Sequence, residues 1–160
     1  MMKHPVAYII CGFIGSGKTT FAKKLEKETG AFRITKDEWM IKIFGNSPLI
    51  EKFDEYDNKV IELSRSAALQ LLSHGIDVII DEGFWVRSQR EEIKRRIEQR
   101  GATAVLYYVK CPMDIMKKRT IDRSGDPPED SFKISGKMFD NYAKYWEPPA
   151  DDESYILATE

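Results

Sequence analysis

The sequence predicts an α/β fold, a five-stranded parallel sheet covered by helices on both faces. Three observations predict it. Short apolar runs alternate with longer segments of helical periodicity. The apolar runs lack polar alternation, as expected for strands buried on both faces. Glycines punctuate the helical segments, at Gly30, Gly75 and Gly101. A chain of 160 residues is long enough for one domain with its own core, spanning residues 1–160.

The elements follow in order. Val6 to Cys11 (VAYIIC) is the first strand. Gly17 to about Thr29 is a helix with Phe21, Ala22 and Leu25 on one side. Phe32 to Ile34 is a short second strand, and Asp37 to about Phe44 a short helix ended by GNSP. From about Phe53 to His74, residues such as Val60, Ile61, Ala68, Leu71 and Leu72 make a helical apolar face. Ile76 to Asp81 (IDVIID) is the third strand, followed by a helix from about Ser88 to Arg100. Thr103 to Val109 is the fourth strand. Pro112 suits the first turn of a helix reaching about Ile121. A polar loop, Arg123 to Asp130, then leads to a helix from Ser131 to about Tyr145. Ser154 to Ala158 is the last strand.

Composition narrows the function classes. With 25 basic and 26 acidic residues the net charge is −1, which argues against a general nucleic-acid partner. No apolar stretch approaches the ~20 residues that span a bilayer, and no secretory apolar region opens the chain. The two cysteines, Cys11 and Cys111, form neither a C-x-x-C pair nor a metal spacing with His4 and His74. The expected location is the cytoplasm, with both thiols reduced.

Between the first strand and first helix lies CGFIGSGKTT, which contains G-x-x-x-x-G-K-[ST] at Gly12, Gly17, Lys18 and Thr19. By accident the pattern arises in roughly half a percent of chains this long. Here it also has the strand-to-helix setting that phosphate binding needs. Glycines let several N–H groups turn toward one anion, and the helix N-terminus adds its positive dipole end. Gly12, Gly15, Ser16, Gly17, Lys18, Thr19 and Thr20 are therefore the candidate nucleotide loop. Lys18 can reach the β- and γ-phosphates, and the Thr19 hydroxyl can ligate Mg²⁺.

Ligands of such sheets bind beyond the carboxyl ends of the strands. The third strand ends in IIDEGFW, which offers Asp81, or Glu82 next to it, as a carboxylate for Mg²⁺. After the second strand, ITKDEW offers Asp37 as a base toward an attacking hydroxyl, or else as an acid at a helix N-terminus. Arg119 and Arg123 share a helix face beside the polar loop, as catalytic lid arginines or as part of a solvated basic face. Arg87 and Arg90 are candidates for substrate contact. Trp39, Phe84 and Trp85 would line an acceptor cleft if exposed, or fill the core if not.

These stretches, with YYVKCPMDIMKKRTIDR and YWEPPADDESYILAT, resemble the small P-loop kinases of the AAA_33, or zeta-toxin-like, group. That group includes the kinase domain of polynucleotide kinase and chloramphenicol phosphotransferase. The resemblance spans nearly the whole chain. It implies the strand order 2-3-1-4-5, ATP and Mg²⁺ as cofactors, and Asp37 as the acceptor-side base. It also implies Asp81 near Mg²⁺, and Arg119 and Arg123 on a short lid at about 123–130, with Arg119 beside the adenine. Arg90 matches an arginine that often follows the third strand. Polynucleotide-kinase-like members usually carry an arginine three residues after the aspartate, where this chain has Met40. The expected function is ATP-dependent phosphorylation of a hydroxyl on a small molecule. The rivals are an ATP-driven switch acting through a partner and a kinase of nucleic-acid 5′-hydroxyl ends.

Overall fold

A computed structural model describes residues 3–158. In chain order the elements are β1 (Val6–Cys11), α1 (Lys18–Thr29), β2 (Phe32–Thr35), α2 (Lys36–Phe44), α3 (Phe53–Ser73), β3 (Val78–Gly83), α4 (Arg87–Gln99), β4 (Thr103–Val109), α5 (Met113–Ser124), α6 (Gly136–Ala143) and β5 (Ile156–Ala158). The strands form one sheet in the order β2-β3-β1-β4-β5, every pair parallel. This is the order that the family resemblance implies.

Alternation along β1 divides the core. Ala7, Ile9 and Cys11 face one side and pack with Ala68, Leu69 and Leu72 of α3 and Ile93 and Ile97 of α4. Ile10 faces the other side, against Ala22 and Leu25 of α1. The central strand β1 is therefore apolar on both faces, as its sequence demanded. A third cluster caps the carboxyl ends of the strands. Phe13, Met40, Met116 and Phe139 are its buried centre, with Phe13 packed in tilted and edge-on contact with Trp85, Phe139 and Trp146 at ring separations of 4.8–5.6 Å.

Several boundaries differ from expectation, and β5 starts at Ile156 rather than Ser154. β3 starts two residues late because Asp77 pegs the sheet edge instead: its carboxylate accepts from Val6 N–H and its carbonyl from Phe32 N–H, both at 2.8 Å. α5 continues to Ser124, so Arg123 lies on its last turn rather than in a loop. The helix expected from Ser131 begins only at Gly136. Ser135 caps it by accepting from Met138 N–H. Residues 131–135 are neither helix nor strand, with Phe132 and Ile134 buried and Lys133 exposed between them. Lys133 N–H donates to the Asn46 carbonyl and Ile134 N–H to Ser124 Oγ. Among the described residues no helix is long and apolar enough to cross a membrane.

Candidate active site

The loop between β1 and α1 is held open by its glycines. Gly15 and Gly17 have φ of 79° and 92°, in the left-handed region that side chains avoid. A Cβ on Gly15 would also sit 2.4 Å from the Met116 carbonyl oxygen, so α5 packs directly on the loop. Gly12 N–H donates to the Gly83 carbonyl, and Phe21 N–H to the Gly17 carbonyl. The N–H groups of Lys18, Thr19 and Thr20 are thus the orphan donors of the first turn of α1. They line a cleft of about 290 Å³ together with Gly15, Lys23 and Arg123.

Asp81 lies deep at the side of this cleft, 2% exposed. Its Oδ2 accepts from Thr19 Oγ1 at 2.8 Å and from Thr35 Oγ1 at 3.0 Å. Its Oδ1 is buried with no hydrogen-bond partner, as is Ser16 Oγ. Buried polar atoms are rarely left this way. The Thr19 hydroxyl beside a carboxylate whose other oxygen is unsatisfied fits a hard cation such as Mg²⁺. Burial raises the Asp81 carboxyl above its usual range, against the pull of Lys18, Thr19 and Thr35. Glu82 points to the opposite face of β3, where Arg65 holds both its oxygens at 3.0 and 2.9 Å. A register shift in the β1–β3 pairing, just after Ile10, accompanies this divergence.

Asp37 stands at the start of α2. Its carboxylate meets Lys36 Nζ at 2.7 Å, and the same ammonium reaches Asp57 of α3 at 2.8 Å. Burial alone would raise the Asp37 carboxyl, but Lys36, Lys18 and Arg123 more than offset it and hold it below its usual value. Asp37 is therefore ionised at neutral pH. It lines the phosphate cleft and also a second cavity of about 220 Å³. Lys18 lines both as well, so the two spaces meet at Lys18 and Asp37. Phe53, Trp85, Phe132 and Tyr142 supply aromatic surface to the second cavity.

Arg123 completes the phosphate cleft from above. Its Nε is buried without a partner, and burial lowers the guanidinium's pKa, against Asp37 and Asp130. Lys23 of α1 pairs with Asp130 of the following loop at 2.6 Å, drawing that loop over the cleft. Arg119, one turn before Arg123, donates to Cys111 Sγ at 3.8 Å and is not on the cleft wall. Cys11 is buried, and burial pushes its thiol up to about 12, so it has no nucleophilic character.

Other expected residues lie elsewhere. Arg87 is bound to Glu91 and, through both terminal nitrogens, to Asp152 on an exposed surface. Arg90 is 3% exposed. It binds Glu153 bidentately at 2.7 and 2.9 Å and donates to the Phe84 and Glu147 carbonyls, each at 2.9 Å. Neither guanidinium reaches the cleft, so the expected substrate contacts are corrected to structural ones. Arg90 instead clamps the corner after β3, where Phe84 takes a φ of 48°. Trp39 is half-buried and packs against two core clusters, so it belongs to the core under the cleft. Sequence reasoning missed Lys36, Asp57 and the Arg65–Glu82 pair. Lys36 directly precedes Asp37 and could have been flagged. Its second partner, Asp57, is visible only in the fold.

The comparisons with known proteins agree with this frame. An L-seryl-tRNA(Sec) kinase from Methanococcus maripaludis is 25% identical over 147 residues, covering 88% of this chain and 56% of that protein. A shikimate kinase from Caldicellulosiruptor bescii is 28% identical over 120 residues, covering 74% of this chain and 66% of that protein. This chain thus spans between half and two thirds of those relatives' lengths. Chaetomium thermophilum Kti12, solved with ADP-AlF3, shares the fold with a TM-score of 0.70 at 16% identity, over 96% of this chain and 88% of that one. The AAA_33 family model, described as an AAA domain, matches residues 8–149, and the chain belongs to that family.

Proposed function

We propose that this protein is an ATP-dependent phosphotransferase acting on a hydroxyl of a small molecule. The observation that carries the reading is the meeting of two cavities at Lys18 and Asp37. One is lined by orphan N–H groups and cations, the other by aromatic surface and carboxylates. The kinases among its relatives support the same class of reaction.

The loop N–H groups and Lys18 hold the donor's phosphates, and Arg123 meets charge that develops on the transferring phosphoryl. Arg119 braces the α5 end of the lid, toward the nucleotide base. Thr19 and Asp81 would hold Mg²⁺, which supplies charge neutralisation to the β- and γ-oxygens when bound. Asp37 accepts the hydrogen bond of the acceptor hydroxyl and points its oxygen at the γ-phosphorus. A carboxylate below its usual pKa is a weak base. That suffices where bond-making to the nucleophile is little advanced in the transition state. The two cysteines are not joined in a disulfide, which fits a cytoplasmic setting.

The test is transfer of labelled γ-phosphate from ATP to a library of hydroxyl-bearing metabolites, antibiotics and 5′-hydroxyl oligonucleotides. Expected is a labelled small molecule and its loss in Lys18→Ala. ATP hydrolysis without any acceptor, unchanged in Asp37→Asn, would overturn the reading in favour of a switch. Labelling of the oligonucleotide alone would move it to nucleic-acid ends.

A further inference from the structure

The acceptor cavity has a charge that selects among small molecules. Four carboxylates lie on its wall, Asp37, Asp54, Asp57 and Glu82, against the ammonium groups of Lys18 and Lys36. Lys18 belongs to the phosphate side. Lys36 offsets one of its two aspartates, and Arg65 offsets Glu82. Asp54 has no ion pair among the described residues. Two negative charges therefore remain facing the acceptor. Every cation on that side is already held by carboxylates, at 2.7–3.0 Å. Met40 is fully buried in the capping cluster, so its position supplies none either.

A phosphorylated or carboxylated acceptor would meet repulsion there with no cation available to receive it. A protonated amine would meet the reverse. Asp54 and Asp57 lie three residues apart on one face of α3, and only one oxygen of Asp57 is engaged by Lys36. Trp85, Tyr142, Phe53 and Phe132 surround the same space. Carboxylates beside aromatic faces are the surroundings in which an ammonium is best held in a partly dry cavity.

Building on the phosphotransferase reading, we propose that the acceptor is an amino alcohol. Its ammonium sits between Asp54, Asp57 and the aromatic wall, and its hydroxyl reaches Asp37. In the reaction the hydroxyl oxygen bonds to the γ-phosphorus, the bond to the β-bridging oxygen breaks, and ADP leaves. The hydroxyl proton passes to Asp37 and then to water. The amine keeps its protons throughout.

The experiment compares kcat/KM for matched triplets: serinol, glycerol and glycerate; glucosamine, glucose and gluconate; and aminocyclitols with their uncharged and acidic counterparts. The amine member should lead its triplet by about tenfold or more. Asp54→Asn, at an exposed position with no hydrogen bond or ion pair among the described residues, should bring the amine-to-polyol ratio near one. Asp54→Lys should shift preference toward the acid. Equal or better use of polyols or hydroxy acids by the wild type overturns the amine and leaves a kinase. Transfer to no triplet, with ADP formed by hydrolysis alone, overturns the phosphotransferase reading and the amine with it.

Discussion

The two walls of the cleft are made of different material. The loop wall, facing the phosphate cleft, is largely backbone, shaped mostly within Gly12 to Thr20, with the Lys18, Lys23 and Arg123 side chains added to it. The acceptor wall is side chain, assembled from pairs far apart in sequence. Lys36 and Asp57 are 21 residues apart, and Arg65 and Glu82 17, while the Arg90–Glu153 clamp, 63 apart, holds the corner behind that wall. A backbone wall depends little on side-chain identity. A side-chain wall can choose its ligand, and one substitution can dismantle it.

The sharpest way to break that contrast is Lys18→Ala. It should lower phosphoryl transfer by about a thousandfold or more while the fold persists, read as transfer rate beside an unchanged melting curve. Wild-type turnover would remove the loop from the chemistry. Asp37→Asn should follow, at roughly a hundredfold to a thousandfold loss in kcat. ATP affinity, measured by calorimetry, should barely change. If affinity falls in step, Asp37 belongs to the phosphate wall and the division fails. Arg123→Ala should lower kcat by roughly ten- to a hundredfold and raise the KM for ATP less, the mark of an interaction strongest in the transition state.

Arg90→Ala acts through structure. Leaving Glu153 buried and unpaired should cost about 3 kcal/mol or more of stability. At temperatures where the variant is folded, KM for the acceptor should rise several-fold with KM for ATP near wild type. A wild-type acceptor KM would show that the corner at Phe84 holds without its clamp. The smallest effect is on acid stability. Arg90 first, with Ala150 N–H behind it, lowers the Glu153 carboxyl below its ordinary 4.5. The stability this supplies is complete above about pH 4.5 and is lost as pH falls through the lowered value. Glu153→Gln should therefore flatten the acid limb of a melting-temperature profile below pH 4.5, with no change in slope near neutrality.

The same contrast explains what the sequence could convey. The phosphate wall is local, so spacing alone located Gly12, Gly17, Lys18 and Thr19, and apolar runs located the sheet. Asp81 followed from its place at a strand end. The acceptor wall depends on pairs that no spacing records. Arg90 looked like a ligand because buried and catalytic arginines have the same neighbours in one dimension. Phe132 and Ile134 were read as helix because two apolar residues two apart fit several conformations, and the bond from Lys133 to Asn46 that holds this segment is visible only in the fold. Trp39 and Trp85, both aromatic beside strand ends, took opposite fates, core and cavity, for reasons of packing alone.

The Arg90–Glu153 clamp also gives the sheet and the corner at Phe84 different birthdays. Four of the five strands lie within residues 6–109. Once these have left the ribosome, the loop after β1 has the β3 and β4 neighbours that fix its ends. The corner at Phe84 must wait for Glu153, 44 residues beyond Val109. At about 5–20 residues per second that is a delay of a few seconds. For that interval the sheet stands without the corner that Arg90 and Glu153 hold.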